Sequence, residues 1–187
     1  MNVNTYDIIC IYETWLEKEP LIKKELQVKG FSVIFVPATR RAHRGRAAGG
    51  IACLLNLSIY NIDNVRSCEN YLLLRIINFN VILGIIYVSP NTELEDKLKN
   101  FSESLNLMEN LFPNSARLIG GDFNARIGES SNVIDDCLLE SLNFFDYRSS
   151  LDKVINTRGY TLCNCMENLG LVLVNGRSYA DSPAHYT

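Results

Sequence analysis

The sequence has little positive charge, little histidine and no long apolar run. Its 187 residues include 18 lysines and arginines against 21 aspartates and glutamates, a formal net charge of −3. The chain as a whole is therefore not a basic nucleic-acid binder, and a polyanion site must come from a local patch. No apolar run approaches the length of a membrane span, and Asp7 and Glu13 lie where a signal peptide would need apolar residues. We expect an intracellular protein without a membrane segment.

Paired metal-binding cysteines are also missing. The six cysteines lie mostly inside apolar runs at irregular spacing, and Cys163 and Cys165 have no second cysteine pair or histidine pair to complete a zinc site. This usage predicts reduced residues in the core of an intracellular protein. The six positions are Cys10, Cys53, Cys68, Cys137, Cys163 and Cys165.

Internal repeats, low-complexity tracts and linkers are absent from the sequence. A hydrophobic content of 47% with 21% charged residues is typical of a globular chain, and 187 residues suffice for one domain with a real core. We therefore expect residues 1–187 to belong to a single domain.

The stretch RLIGGDFNARIG, residues 117–128, carries the strongest local signal for chemistry. Its apolar beginning predicts the end of a buried strand, after which Gly120 and Gly121 let the backbone turn sharply. Asp122 and Asn124 follow where a rigid strand gives way to a loop. A carboxylate can hold a water or take a proton and a carboxamide can donate to an oxyanion, which suits hydrolysis of a phosphate ester. The alternative is an ordinary turn, since Gly, Asp and Asn are the commonest turn residues.

Two other predicted strand ends carry candidate site residues. The apolar run 8–11 predicts a strand covered on both faces, and Glu13 follows at its carboxyl end, where active sites of α/β proteins usually form. Tyr87 ends a later strand, where its hydroxyl can point at a phosphate. The alternatives are a solvated Glu13 that caps the turn before Trp15 and a half-buried packing role for Tyr87.

A basic loop, RRAHRGRAAGG, occupies residues 40–50. One interpretation is a flexible arm that binds phosphates, because arginine holds phosphate oxygens bidentately. The other is a solvated charged loop, which most such runs are. We interpret His43 as part of this loop and not as a catalyst. The candidate nucleic-acid ligands are Arg40, Arg41, Arg44 and Arg46.

The remaining pattern predicts an α/β chain. A helix is expected between Pro20 and Gly30, and a second one follows from Thr92 to Pro113 with apolar residues at steps of three and four. A third helix is expected before Gly170, followed by a strand. Further strands are predicted at 31–36, at four successive segments between 49 and 90 that favour an antiparallel meander, and at 116–121.

Three spaced motifs carry a resemblance to a known superfamily. ETWL at Glu13, YVSPNT at Tyr87 and GDFNARIG at Asp122 together resemble the endonuclease/exonuclease/phosphatase superfamily, which has a deoxyribonuclease I-like fold. RSSLDKVINTRGYTL, GLVLVNGR and the final HYT look like the apurinic-type endonuclease domain of non-LTR (LINE-like) retrotransposon polyproteins. The resemblance runs along nearly the whole chain and implies a four-layer α/β/β/α sandwich.

The resemblance implies a role for each matched residue. Glu13 would hold a divalent metal, Mg²⁺ or Mn²⁺, and Tyr87 would contact the scissile phosphate. Asp122 would orient or deprotonate the attacking water, and Asn124 would steady the phosphate. It further implies DNA as the substrate, a nuclear location, and a reverse transcriptase domain downstream in the full-length element.

Two of the superfamily's motifs have no counterpart here. Its metal-site asparagine lies on an earlier strand, whereas Asn2 and Asn4 lie too close to Glu13 to occupy a separate strand. Its terminal aspartate and histidine lie on later strands, and His185 precedes that place. We therefore expect a partial domain, without its first and last strands, with weak or no DNA-nicking activity.

Two other functions stay open at this point. A phosphomonoesterase of the same superfamily would place basic residues for a terminal phosphate near the site, and the sequence shows such a cluster only in the arginine loop. A non-catalytic protein would use that loop, or exposed sheet edges, to bind nucleic acid or another protein.

Overall fold

The protein forms two compact units, each described here by itself. The structure is a computed structural model that describes residues 6–18, 24, 28–40, 45–56, 58–130, 144–178 and 181. The first unit comprises Met1–Ser89 and Glu103–Asp122, and the second comprises Pro90–Ser102 and Phe123–Thr187. The strands are β1 Ile8–Tyr12, β2 Phe31–Val36, β3 Ile51–Asn56, β4 Ile62–Cys68, β5 Tyr71–Ile76, β6 Val81–Tyr87 and β7 Ala116–Asp122; the helices are α1 Leu94–Leu111 and α2 Thr157–Asn168.

Two sheets of the first unit contain all of these strands. One has the order β1-β3-β2 and is antiparallel, and the other has the order β4-β5-β6-β7, in which β7 runs parallel to β6. The predicted α/β class is confirmed. The predicted meander is correct for β4 to β6 and wrong for β3, which is the central strand of the other sheet. Residues 51–55 of β3 are all buried, as expected for a strand that is covered on both faces.

The core of the first unit lies between the two sheets. Apolar residues that alternate along β3 meet alternate residues of β5 and β6, as the two-residue period of a strand requires. Tyr12 and Ile34 pack against the edge of this cluster. Its buried members are Val36, Ile51, Cys53, Leu55, Leu72, Leu74, Ile76, Leu83, Ile85 and Tyr87.

Helix α1 confirms the helix predicted from its apolar period. In its second half the Ser104 hydroxyl lies 2.6 Å from the hydroxyl of Tyr71 on β5, and Glu109 pairs with Arg117 of β7 at 2.7 Å. The four-stranded sheet of the first unit is therefore covered by this half of the helix. Neither helix among the residues described is long and apolar enough to cross a membrane. The helix predicted between Pro20 and Gly30 lies largely outside the described residues.

The predicted burial of the outer strands is wrong. β1 is only partly buried along its length, with Cys10 exposed, and Leu118 of β7 is 55% exposed. An apolar run indicates a strand but does not tell whether one face of the strand is covered or both. The same error applies to two cysteines, because Cys10 and Cys68 are exposed whereas Cys53 is buried as predicted.

The second unit contains helix α2 and long irregular segments. The side chain of Asn156 caps α2 by accepting from the Gly159 N–H, and Gly170, with φ of 62°, follows its end as predicted. The strand predicted after Gly170 is wrong, because residues 171–174 have no strand hydrogen bonding. The apolar pattern of these residues reflects partial burial, which an irregular segment shares with a strand.

Two arginine guanidinium groups bind backbone carbonyl oxygens in this unit, as N–H groups of a neighbouring strand do in a sheet. Arg148 donates to the carbonyl oxygens of Gly128, Ser130 and Asn175, and Arg177 donates to those of Phe145, Asp146 and Leu173. Both arginine side chains are buried, and burial is the main cause that lowers the pKa of each. Arginine suits this role because one planar group carries five N–H donors.

A bidentate ion pair joins two further segments of the second unit. Arg126 donates to both carboxylate oxygens of Asp152 at 2.6 and 2.7 Å, and the Val154 N–H donates to the same carboxylate. These hydrogen bonds lower the pKa of Asp152 to about 2. Its carboxylate therefore stays ionised well below the usual pH range.

We predict that Asp152 stabilises the protein above about pH 4 and loses this effect as the pH falls through about 2. The sign follows because its pKa is lower in the folded chain than in the unfolded chain. The Asp152→Asn variant should be less stable than wild type at pH 7, and the gap should narrow between pH 4 and pH 2. Urea unfolding at pH 7, 4 and 2.5 measures this, with Glu103→Gln as the exposed control; a gap independent of pH would contradict it.

Gly120 and Gly121 do not form the sharp turn predicted for them. Both lie inside β7, where Gly121 is paired with Ile86 of β6. A Cβ atom added at Gly121 would lie 2.0 Å from the Ile86 carbonyl oxygen, whereas one added at Gly120 would meet nothing within 4 Å. Gly121 is therefore required because the backbones of β6 and β7 approach closely at this residue. The backbone at Gly120 has no such close contact.

We predict that Gly121→Ala destabilises the protein by about 1–3 kcal/mol, because the new methyl group forces β7 away from β6. Gly120→Ala is the matched control and should change the free energy of unfolding by less than about 0.5 kcal/mol. Denaturant unfolding followed by circular dichroism measures both variants. Equal effects of the two substitutions would refute the close approach.

Candidate active site

A short hydrogen bond joins two of the residues that the sequence singled out. The Tyr87 hydroxyl donates to Oε1 of Glu13 at 2.6 Å, although the residues lie on different sheets of the first unit and 74 positions apart. The ring of Tyr87 belongs to the buried core cluster and lies 6.3 Å from the ring of Tyr12. The core therefore fixes the direction in which the Tyr87 hydroxyl points.

Asp122 lies beside Tyr87 on the neighbouring strand. The two residues are register partners in the parallel pair of β6 and β7, and the Asp122 carbonyl accepts the Val88 N–H at 2.9 Å. Burial, the contact with Glu13 and the charge of Asp122 together raise the pKa of Tyr87 to about 12. The structure thus brings Glu13, Tyr87 and Asp122 together, and the Tyr87 hydroxyl stays protonated at neutral pH.

The backbone around Glu13 is strained. Glu13 has φ of 53° and Trp15 has φ of 55°, a region that L-residues rarely adopt and that costs about 1–3 kcal/mol each. The Thr14 N–H donates to the Gly50 carbonyl at 3.2 Å and the Trp15 N–H to the Gly49 carbonyl at 3.1 Å. The glycines that end the basic loop therefore hold the conformation of this turn, a role that the sequence did not reveal.

Asn124 lies two residues beyond Asp122, in the second unit, and it also has a positive φ, of 47°. Arg158 of α2 holds this segment by donating to the carbonyl oxygens of Phe123 at 3.0 Å and Asn124 at 2.9 Å, and to that of Thr92 at 2.6 Å. Sequence reasoning missed Arg158. The available signal was an arginine in the first turn of a helix, where the helix dipole disfavours a cation unless another group binds it.

The described part of the basic loop is engaged with the chain around Trp15. Arg40 pairs with the Glu17 carboxylate through contacts of 2.6 to 3.2 Å and donates to the Gly45 carbonyl, and the Arg46 guanidinium lies 3.5 Å from the centre of the Trp15 ring. The Arg40–Glu17 pair is exposed, and this pairing lowers the pKa of Glu17. Outside the described residues lie Arg41, His43, Arg44 and His185.

The carboxylates of this site suit a hard divalent cation. Glu13 and Asp122 are both exposed and offer only oxygen atoms, the donor that Mg²⁺ and Mn²⁺ prefer. Within the described part of the chain no group of three or more His, Cys, Asp and Glu side chains could enclose a metal. Mg²⁺ usually binds through one or two carboxylates and keeps several waters, so a pair of carboxylates fits it.

Comparisons with known proteins find similarity at the level of structures. No protein-family model matches the chain, and no curated protein matches it. The human Nocturnin catalytic domain with bound sulfate matches with a TM-score of 0.45 and 14% identity, over 66% of this chain and 53% of that one. ANGEL2, a 2′,3′-cyclic phosphatase, matches with a TM-score of 0.48 and 16% identity, over 67% of this chain and 41% of that one. Truncated TDP2 from Caenorhabditis elegans matches with a TM-score of 0.44 and 12% identity, over 66% of this chain and 51% of that one.

All three matched proteins are members of the endonuclease/exonuclease/phosphatase superfamily. The matched region spans about half the length of each of them.

We predict that Gly50→Ala displaces the turn that carries Glu13. Gly50 has φ of +90°, and a Cβ atom there would lie 2.3 Å from Oγ1 of Thr14. Gly49→Ala is the matched control, since Gly49 has a similar φ of +75° but nothing within 4 Å of its Cβ position. Both variants bear the backbone strain of about 1–3 kcal/mol, and only Gly50→Ala bears the clash.

The fluorescence of the single tryptophan, Trp15, follows this turn directly. Gly50→Ala should shift the emission maximum and lower the unfolding midpoint further than Gly49→Ala does. Indistinguishable spectra and midpoints for the two variants would contradict the proposed packing of Gly50 against Thr14.

Proposed function

We propose that this chain carries the catalytic carboxylates of a divalent-metal-dependent phosphodiester hydrolase, a DNA endonuclease of the endonuclease/exonuclease/phosphatase type from a non-LTR retrotransposon. The observation that carries the proposal is the hydrogen bond between Tyr87 and Glu13, with Asp122 as the register partner of Tyr87. Three residues chosen from motifs far apart in the sequence meet at the ends of strands. Packing alone does not require two exposed carboxylates to lie beside one buried tyrosine.

Glu13 is the residue that would hold the metal. The ion would complete its coordination with waters and phosphate oxygens, because Mg²⁺ is seldom enclosed by protein ligands alone. When bound, it supplies positive charge that neutralises the phosphate in the transition state. A single carboxylate ligand, Glu13, leaves Asp122 available for the attacking water.

The side chains divide the remaining work. Tyr87, protonated at neutral pH, donates a hydrogen bond that can pass from Glu13 to a phosphate oxygen. Asp122 orients the attacking water and takes its proton as the general base. The sequence resemblance adds Asn124, in the second unit, as a candidate phosphate ligand, because a carboxamide donates without depending on pH. The strained backbone at Glu13 and Asn124 fits this proposal, since such strain is concentrated at functional sites.

The basic loop supplies the contacts to DNA in this proposal. Arg40 exchanges Glu17 for a phosphate, which costs little because the ion pair that it leaves is exposed to solvent. Arg46 lies on Trp15, two residues from Glu13, and can reach a phosphate next to the scissile one. Arg41 and Arg44, which lie outside the described residues, are further candidate DNA ligands by sequence alone. The expected context is a polyprotein with a reverse transcriptase downstream, acting on nuclear DNA.

We predict that metal binding depends on Glu13 whether or not the chain turns over substrate. Mn²⁺ titration followed by water-proton relaxation should show one site, and Glu13→Gln should weaken it by at least about tenfold. Glu103→Gln, an exposed carboxylate on α1, is the matched control and should leave binding unchanged. Equal Mn²⁺ affinity of wild type and Glu13→Gln would refute the metal site.

We predict slow, metal-dependent nicking of supercoiled plasmid that Asp122→Ala reduces by about 10²-fold or more, the usual contribution of a general base. The rate is expected to be low because the superfamily's other asparagine, aspartate and histidine have no counterpart in this sequence. Nicking that survives Asp122→Ala would refute the assigned role.

Two results would favour the other functions. Hydrolysis of a phosphate monoester without nicking would favour a phosphomonoesterase. Salt-dependent DNA binding that is unaffected by Asp122→Ala, without hydrolysis of either ester, would favour a non-catalytic binding protein.

A further inference from the structure

Two cysteines lie directly opposite each other on neighbouring strands of the first unit. Cys10 of β1 and Cys53 of β3 are register partners in an antiparallel pair. The Asn56 N–H donates to the Asp7 carbonyl, so these residues form a hydrogen-bonded pair of the same ladder. Such pairs alternate along antiparallel strands, and three steps from Asp7 place Cys10 and Cys53 at a non-hydrogen-bonded position.

This position brings two side chains close enough for a covalent bond. At non-hydrogen-bonded positions the Cα atoms are about 4.5 Å apart, and disulfides form at Cα separations of about 4.4 to 6.8 Å. Directly opposed residues also point to the same face of the sheet, which both thiols therefore share. The two cysteines are unpaired by disulfides in the structure.

The two thiols differ in the way that a redox-active pair requires. Cys10 is exposed and Cys53 is fully buried in the core cluster. The neighbouring Cys53 thiol lowers the pKa of Cys10, and the Cys10 thiol together with burial raises the pKa of Cys53. An accessible thiolate reacts with peroxides, whereas a buried thiol is inert until an oxidised partner is placed next to it.

We propose that Cys10 and Cys53 form a reversible oxidation site in which Cys10 is the attacking thiol and Cys53 the resolving thiol. The oxidant is a peroxide: the Cys10 thiolate attacks one oxygen and breaks the O–O bond, which gives a sulfenic acid and, from hydrogen peroxide, hydroxide. The Cys53 sulfur then attacks the Cys10 sulfur and expels water, and a disulfide forms. In total two thiols are oxidised and one peroxide is reduced to two waters.

The site is independent of the proposed hydrolase function. The product would join β1, an edge strand within the described residues, to the central strand β3. Glu13 follows β1 by one residue, so the oxidised form would hold the turn at Glu13 more firmly to its sheet. A small thiol such as dithiothreitol would restore the reduced pair by exchange.

The test treats the folded 187-residue chain with hydrogen peroxide, quenches it in acid, alkylates the remaining thiols and measures the intact mass. We expect the loss of two of the six thiols and their recovery with dithiothreitol. Tryptic digestion should link the peptide 1–18, which contains Cys10, to the peptide 47–66, which contains Cys53.

Variants separate the pair from general oxidation. Cys10→Ser and Cys53→Ser should each abolish the cross-link, whereas Cys68→Ser, which removes the other exposed cysteine of the first unit's described residues, should leave it intact. Because Cys53 is buried, circular dichroism must show that Cys53→Ser is folded; Cys10→Ser is the primary variant, since its site is exposed. A cross-link from Cys10 to Cys68 or to a second copy, or a Cys10 sulfinic acid without the 1–18 to 47–66 link, would overturn the proposal.

Discussion

The position of Tyr87 is the constraint on which the candidate site depends. Its ring lies in the core between two sheets, and a buried ring of this type carries a hydroxyl that needs a hydrogen-bond partner. That partner is Glu13, which follows the first strand of the opposite sheet. The packing between the two sheets therefore also sets the distance from the Glu13 carboxylate to the ends of β6 and β7. A substitution that disrupts the packing between the sheets would therefore move Glu13 away from Tyr87, even though it changes neither residue.

Strain and its restraint form the second part of this arrangement. A glutamate in the left-handed region persists only when the surrounding chain over-determines it, and here two glycine carbonyls and their hydrogen bonds do so. Asn124 is restrained by a different device, the guanidinium of Arg158. Both strained residues lie one or two positions past the end of a strand. The end of a strand fixes the direction of the chain. A positive φ just beyond it then points the side chain in a direction that a residue in a regular strand could not adopt.

The strands and helix α1 were predictable because their signals are local. Runs of Ile, Val and Leu mark β2 and β6, and an apolar period of three and four marks α1. The joint site of Glu13, Tyr87 and Asp122 was proposed from the sequence resemblance, and only the place of Glu13 at a strand end follows from a general rule. The assignment of β3 to the other sheet was not, because strand partners depend on contacts between distant segments. The same holds for Gly121 and Gly50, whose need for glycine comes from Ile86 and Thr14 and not from their own neighbours.

Three arginines of the second unit give a structural role to the sequence segments in which they lie. Arg148, Arg158 and Arg177 lie in the segments RSSLDKVINTRGYTL and GLVLVNGR, and each donates to three backbone carbonyls. An irregular chain leaves many carbonyls without ladder partners, and burying them unpaired costs about 1–3 kcal/mol each. A guanidinium with five donors satisfies several at once. These segments therefore carry residues that hold the backbone of the second unit together, whereas the proposed chemistry rests on three residues of the first unit.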